Sequence, residues 1–243
     1  MSVYIDYNPV NREEVGINID KREVLRYLGY KNGAVDSKID KMINECIVEL
    51  KEIAKTNFVF NIFDISKKNN EVFIGNKIFK LEGRDIVKHL KNSEKCAVMA
   101  ATLGSEVDKK IMYYGKIDLV KSIVFDACAT AGIEALCDSV ETIIKKIAAN
   151  NGYYITSRYS PGYGDFPINV QFKILELLTA FQNIGLTITD SCILVPRKSV
   201  TALIGFSKKG NITEKKDCKN CRLFKNCLFI KEGDNCGNTK NIK

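Results

Sequence analysis

The stretch Ser157–Pro167, SRYSPGYGDFP, holds an arginine, two tyrosines, two glycines, two prolines and an aspartate in eleven residues. Proline lacks a backbone donor and fixes φ, so this mixture continues neither a helix nor a central strand. It is a break in the chain, and the fold is read outward from it. Within it, Ser160-Pro161-Gly162-Tyr163 spells a type II turn: Pro161 presets φ at the first central position, and Gly162 accepts a positive φ at the second.

Before the break, Asp118–Ala149 is a long helical pattern carrying DACATAGIEALCD. Ala127, Ala129, Ala131, Gly132 and Ala135 make part of its surface small, which permits close approach of another backbone or a ligand. Asp126 and Glu134 stand eight apart and share a face, which in the plainest reading is solvated. Further upstream, KCAVMAATLG predicts a buried strand ending in a glycine turn, followed by a helix from about Ser105. FVFNIF and EVFIGNKIFKLEG predict strands turned at KKNN and GN, and a short helix follows at Asp85–Leu90. DSKIDKMINECIVELKEIAK predicts a helix capped by Asp36 or Ser37, and Asp20–Tyr30 a shorter one. After the break, Ile168–Phe181 predicts one helix; LTITDSCILV and SVTALIGF predict two strands separated by PRK. Helices and hairpins are grouped rather than strictly alternating, so the fold class expected is α+β.

Hydrophobic residues make up 45% of the 243, enough for a sizeable core. No basic segment followed by an apolar run opens the sequence, and no run of about 18 apolar residues occurs, so a cytoplasmic protein without a membrane span is expected. The nine cysteines are then thiols or metal ligands. Cys46, Cys128, Cys137 and Cys192 fall on apolar patterns and are expected in the core. One histidine, His89, excludes a multi-histidine metal site and is expected at a surface or boundary. Net charge is +8, but ten Lys/Arg against four Asp/Glu lie in Ser207–Lys243, so the body is nearly neutral and does not read as a nucleic-acid binder.

The chemistry of the break is specific. Arg158 can hold a carboxylate through two parallel hydrogen bonds. Tyr159 and Tyr163 can stack on a flat base or cover a cation, and Asp165 adds a negative charge. The set suits a ligand with a carboxylate, a planar ring and a positive centre, as in S-adenosylmethionine. A purely structural turn is the alternative.

RYSPGYG resembles the Arg-x-x-Pro-Gly-Tyr motif of the activation domain of cobalamin-dependent methionine synthase. DACATAGIEALCD resembles the same family's Ala-rich helix, SCILVPRKSVTALIGF is similar to its closing strands, and AATLG also fits. The likeness spans about Cys96–Phe206 and reads as a free-standing activation protein. The resemblance implies a C-shaped α+β domain over residues 1–206, with a short basic Cys-rich tail over 207–243. It implies that Arg158 binds the carboxylate of S-adenosylmethionine, that backbone groups near Ser160 and Gly162 meet the adenosyl part, that Tyr163 flanks the reacting end, and that Glu134 is a polar contact. The sequence departs from the family after the tyrosine, where GDFP replaces a segment with Cys-Pro and an acid–His pair. Asp6 and Asp20 are the two candidates for the family's N-terminal acidic ligand contact.

The implied function is reductive reactivation of methionine synthase, serving methionine biosynthesis. S-adenosylmethionine donates a methyl group to cobalamin carried by the partner during reduction from Co(II). The chain is then an accessory component of a methyltransferase, not active alone, with no catalytic acid, base or nucleophile of its own. Another corrinoid protein is the alternative client, and a metal-stabilised basic nucleic-acid-binding module is the alternative from another class. In the tail, Cys218, Cys221, Cys227 and Cys236 lie within nineteen residues. Their spacing fits no standard zinc finger; an iron–sulfur cluster, or else a single zinc, is expected there. An acidic ferredoxin or flavodoxin is the expected electron donor.

Overall fold

The computed structural model describes residues 15–30, 35–68, 71–75 and 79–209. The fold is α+β, as expected: among the described residues, a six-stranded antiparallel sheet carries helices on both faces. Strands β1 (Asn57–Lys68), β2 (Glu71–Ile74), β3 (Phe79–Leu81), β4 (Lys95–Thr102), β5 (Tyr154–Ile155) and β8 (Ser199–Ser207) lie in the order β3-β2-β1-β4-β8-β5.

The centre of that sheet explains the near-continuous apolar run of β4. Ala97, Met99 and Ala101 enter one core, whereas Cys96, Val98 and Ala100 enter another. The period of two sends alternate side chains to opposite faces, and both faces are covered. On the first face lie α1 (Lys21–Tyr27), α2 (Ser37–Ile53), α4 (Ser105–Ile117) and the long α5 (Leu119–Asn150). On the second lie α3 (Arg84–His89), α6 (Val170–Leu177) and α7 (Ala180–Ile184).

Helix starts follow the sequence. Asp36 accepts from Lys38 N at the head of α2, and Asp118 from Lys121 N at the head of α5. The small stripe of α5 is spent on the chain's own core. A β-carbon on Gly132 would stand 3.3 Å from Leu50 Cδ2 and 3.4 Å from Leu103 Cδ1. Cys46, Cys128 and Cys137 are fully buried, and burial pushes their thiols up to about 11, 12 and 12.

Two expectations change. The helix expected over Ile168–Phe181 is broken by Thr179, which takes a left-handed φ of 47° between α6 and α7. Leu178 and Ala180 are both buried, so the apolar pattern runs through the break unaltered. Asn183 Nδ2 donates to the Leu178 carbonyl at 2.8 Å. The strand expected over Leu186–Val195 is a small hairpin of β6 (Thr187–Ile188) and β7 (Leu194–Val195). Its turn carries Cys192 at φ 62°, half-buried and outside the strands rather than in the core.

Candidate functional site

Beyond β5 the chain stays beside the sheet edge. Tyr159 N donates to Leu203 O at 3.0 Å, and Leu203 N to Tyr159 O at 2.9 Å. This single antiparallel bridge fixes orientation by alternation. Tyr159 shares the face of its partner Leu203 and packs on the second core. Arg158, one residue earlier, is delivered to the opposite face, where α5 lies.

There α5 presents Asp126, Thr130, Glu134 and Asp138 at successive four-residue steps, with Glu141 three further on. Lys198, just ahead of β8, reaches Asp126 at 2.9 Å and Thr130 Oγ1 at 2.8 Å. Arg158 lies between three carboxylates: Nη2 to Glu134 Oε2 is 3.1 Å, Nη1 to Asp138 Oδ1 is 2.9 Å, and Nη1 to Glu141 Oε2 is 3.1 Å. Its side chain is only 18% exposed. Burial opposes the charge, but Cys137, Glu141, Asp138 and Glu134 outweigh it and hold the guanidinium above its ordinary pKa. A cleft of about 370 Å³ opens on the preceding turns of α5, lined among others by Tyr27, Asp126 and Thr130. Burial, and then the charge of Glu134, raises the pKa of the Tyr27 phenol.

The turn itself forms as its residues require. Tyr163 N donates to Ser160 O at 3.2 Å, and Gly162 takes φ 91°. Gly162 N also donates to Phe166 O at 2.8 Å, which closes the loop tip. Tyr163 projects outward, 63% exposed, its ring edge-on to Tyr159 with centroids 6.2 Å apart.

Below the tip the loop is pinned. Phe166 is 1% exposed. Tyr159 packs on Phe166 and on His89, with centroids 6.1 and 5.0 Å apart, and the His89 ring bonds the Ser157 carbonyl through Nε2 at 2.9 Å. Asp165, expected as a charge for the ligand, has another task. Its carboxylate accepts from Arg84 N at 2.8 Å and Asp85 N at 3.0 Å, capping α3, whose own N-cap is Gly83. Gly83 is required there: at φ 110°, any β-carbon would stand 2.9 Å from the Asp165 carbonyl oxygen.

Of the sequence-derived site residues, Glu134 and Arg158 are in contact, and Ser160, Gly162 and Tyr163 form the adjoining turn. Asp138, Glu141 and Tyr27 were not singled out from sequence, although the helical spacing from Glu134 places both acids beside it. Asp20 caps α1 and pairs with Arg22 at 2.8 Å, whereas Asp6 lies outside the described residues. So do Cys218, Cys221, Cys227 and Cys236 and nearly all of the expected tail.

An antiparallel sheet between two helical layers, with an Arg-Tyr-Ser-Pro-Gly-Tyr loop against an acid-bearing helix, is the arrangement to be placed among known proteins. Residues 77–212 match the family described as the vitamin B12 dependent methionine synthase activation domain. The match spans more than half of the chain, and the chain belongs to that family. Among solved structures it is similar to the MetH reactivation domain bound to AdoHcy, with a TM-score of 0.59 at 16% identity, covering 82% of this chain and 81% of that one. No curated protein matches the sequence.

Proposed function

We propose that the protein presents S-adenosylmethionine to the cobalamin of a methionine synthase and so takes part in its reductive reactivation. The observation that carries this reading is the placement of the family's Arg-x-x-Pro-Gly-Tyr loop against the Glu134 face of α5. In this reading Arg158 holds the ligand carboxylate, backbone groups at Ser160 and Gly162 meet the nucleoside, and Tyr163 stands beside the sulfonium. Glu134 is a polar contact.

The partner's cobalamin, reduced by one electron from Co(II), would supply the electron pair for the new bond, and the sulfur would keep the C–S pair and leave as a neutral thioether. No proton moves, so no general acid or base is needed from this chain. Its contribution is positioning. A loop pinned by Phe166, the Tyr159 bridge and the Asp165 cap holds its tip in place before the ligand arrives. The exposed Tyr163 leaves the reacting end open to a second protein. Cys218, Cys221, Cys227 and Cys236 would hold an iron–sulfur cluster, which would supply the electron received from a ferredoxin or flavodoxin.

The test is a remethylation assay. The protein, S-adenosylmethionine labelled in its methyl group and a low-potential reductant are added to purified methionine synthase holding Co(II) cobalamin. Labelled methylcobalamin is expected only with all components present. Equal label without this protein refutes the reading. Transfer to another corrinoid protein instead assigns that protein as the client.

A further inference from the structure

The ion pairs of Arg158 are unequal in depth as well as in number. The Arg158 side chain is 18% exposed, whereas Glu134, Asp138 and Glu141, which it binds, are 46%, 52% and 30% exposed. One cation neutralises one carboxylate, so Glu134, Asp138 and Glu141 around Arg158 leave an excess of two negative charges. That excess lies on the solvent side, with the positive charge beneath it. Lys198, the next cation along this stripe of α5, is bound to Asp126. A ligand whose carboxylate is held by Arg158 therefore brings any positive group it carries beside acids that attract it.

We propose that Glu134 and Asp138 make this site select by ligand charge, retaining the cationic sulfonium donor and releasing the neutral thioether left after methyl transfer. The inference rests on the reading that S-adenosylmethionine binds here. The donor carries a sulfonium and an ammonium against one carboxylate, a net +1. The thioether product carries no net charge. Loss of the methyl cation therefore removes one unit of attraction to the acids without requiring any movement of the protein. Arg158 fixes Glu134 and Asp138 together with Glu141, and through them the direction from which the cation is attracted. Asp138 is a specificity residue in this scheme, and its spacing from Glu134 is what the Arg158 fork requires.

The experiment is calorimetry on the full chain with three ligands: S-adenosylmethionine, S-adenosylhomocysteine, and sinefungin, which carries an ammonium in place of the sulfonium. The wild type is expected to prefer both charged ligands over S-adenosylhomocysteine. Asp138→Asn and Glu134→Gln should each reduce that preference about two- to fivefold, the scale of one screened charge several ångströms away. Asp138→Glu should restore it, and raising salt should shrink it in the wild type. Thermal unfolding of each variant checks that the fold is retained. An unchanged preference in folded variants, or equal weakening of all three ligands, overturns the inference while leaving the binding reading intact. A wild type that binds none of the three overturns both.

Discussion

Arg158 and Tyr159 are neighbours in the chain and lie on opposite faces of one sheet edge. Arg158 is held by charge, among carboxylates that keep much of their surface in water. Tyr159 is held by rings and by a backbone bridge, over a fully buried Phe166. The difference separates two tasks that one loop must perform. The aromatic side fixes where the loop is, through burial that water does not weaken. The charged side holds the loop through ion pairs that water reaches, and in the proposed reading a ligand can share or replace them. Substitutions on the two sides should therefore fail in different assays.

The largest effect is expected on the aromatic side. Phe166→Ala should lower unfolding free energy by about 3–5 kcal/mol, the cost of emptying a buried aromatic site. Urea denaturation measures it. A loss below about 1 kcal/mol would mean that the loop is not anchored through this ring and would dissolve the comparison.

The charged side comes next. Arg158→Ala should weaken S-adenosylmethionine binding by about 1.5–3 kcal/mol, the range for a hydrogen bond to a charged group. Its effect on unfolding should stay near 1 kcal/mol or less, because the partner carboxylates are 30% to 52% exposed and are re-solvated when the guanidinium goes. A variant that unfolds readily would place Arg158 with the anchors instead.

How much of this was legible in the sequence follows from the same contrast. Features set by local chemistry were readable. Pro161 and Gly162 announced the turn, Asp36 and Asp118 the helix starts, and the unbroken run from Cys96 to Ala101 a buried strand. Features set by tertiary packing were not. Thr179 takes a left-handed conformation that no residue type there signals. Asp190 and Ser191 turn a hairpin inside what reads as one strand, because Ile188 and Ile193 keep the strand composition on either side. Beside the loop, Glu134 was singled out through a motif, while the contact of Asp138 with Arg158 required knowing which face of α5 meets that arginine. Asp165 was misread because its partners, Arg84 N and Asp85 N, are eighty residues away in the chain.

Asp165 offers a smaller, pH-limited test. The amides of Asp85 and Arg84 hold its carboxyl below the ordinary aspartate value. A depressed folded-state pKa contributes stability above the unfolded pKa, and that contribution is lost as pH falls through the folded value. The thermal midpoint of the wild type should thus fall with acidification in the region below pH about 4, and Asp165→Asn should flatten that part of the profile. Parallel profiles for the two proteins would mean that the cap adds nothing to the anchor.

The smallest stability effect is expected at Tyr163, the point where the two sides of the loop meet the solvent. Its ring is 63% exposed and touches Tyr159 only edge-on, so Tyr163→Phe should shift unfolding by no more than about 0.5 kcal/mol. In the proposed reading the ligand affinity should change little as well, since Arg158 and the backbone of the turn hold the carboxylate and the nucleoside. What should fall is remethylation of the partner's cobalamin, because the proposed reading puts the phenol at the open end where the sulfonium methyl leaves. Parallel calorimetry and label transfer on one preparation separate these quantities. Unchanged label transfer would remove Tyr163 from the reacting end, and a parallel loss of affinity would make it a binding residue like Arg158. A loss of transfer alone would place it on neither side: a residue that neither anchors the loop nor holds the ligand, and acts only when the second protein arrives.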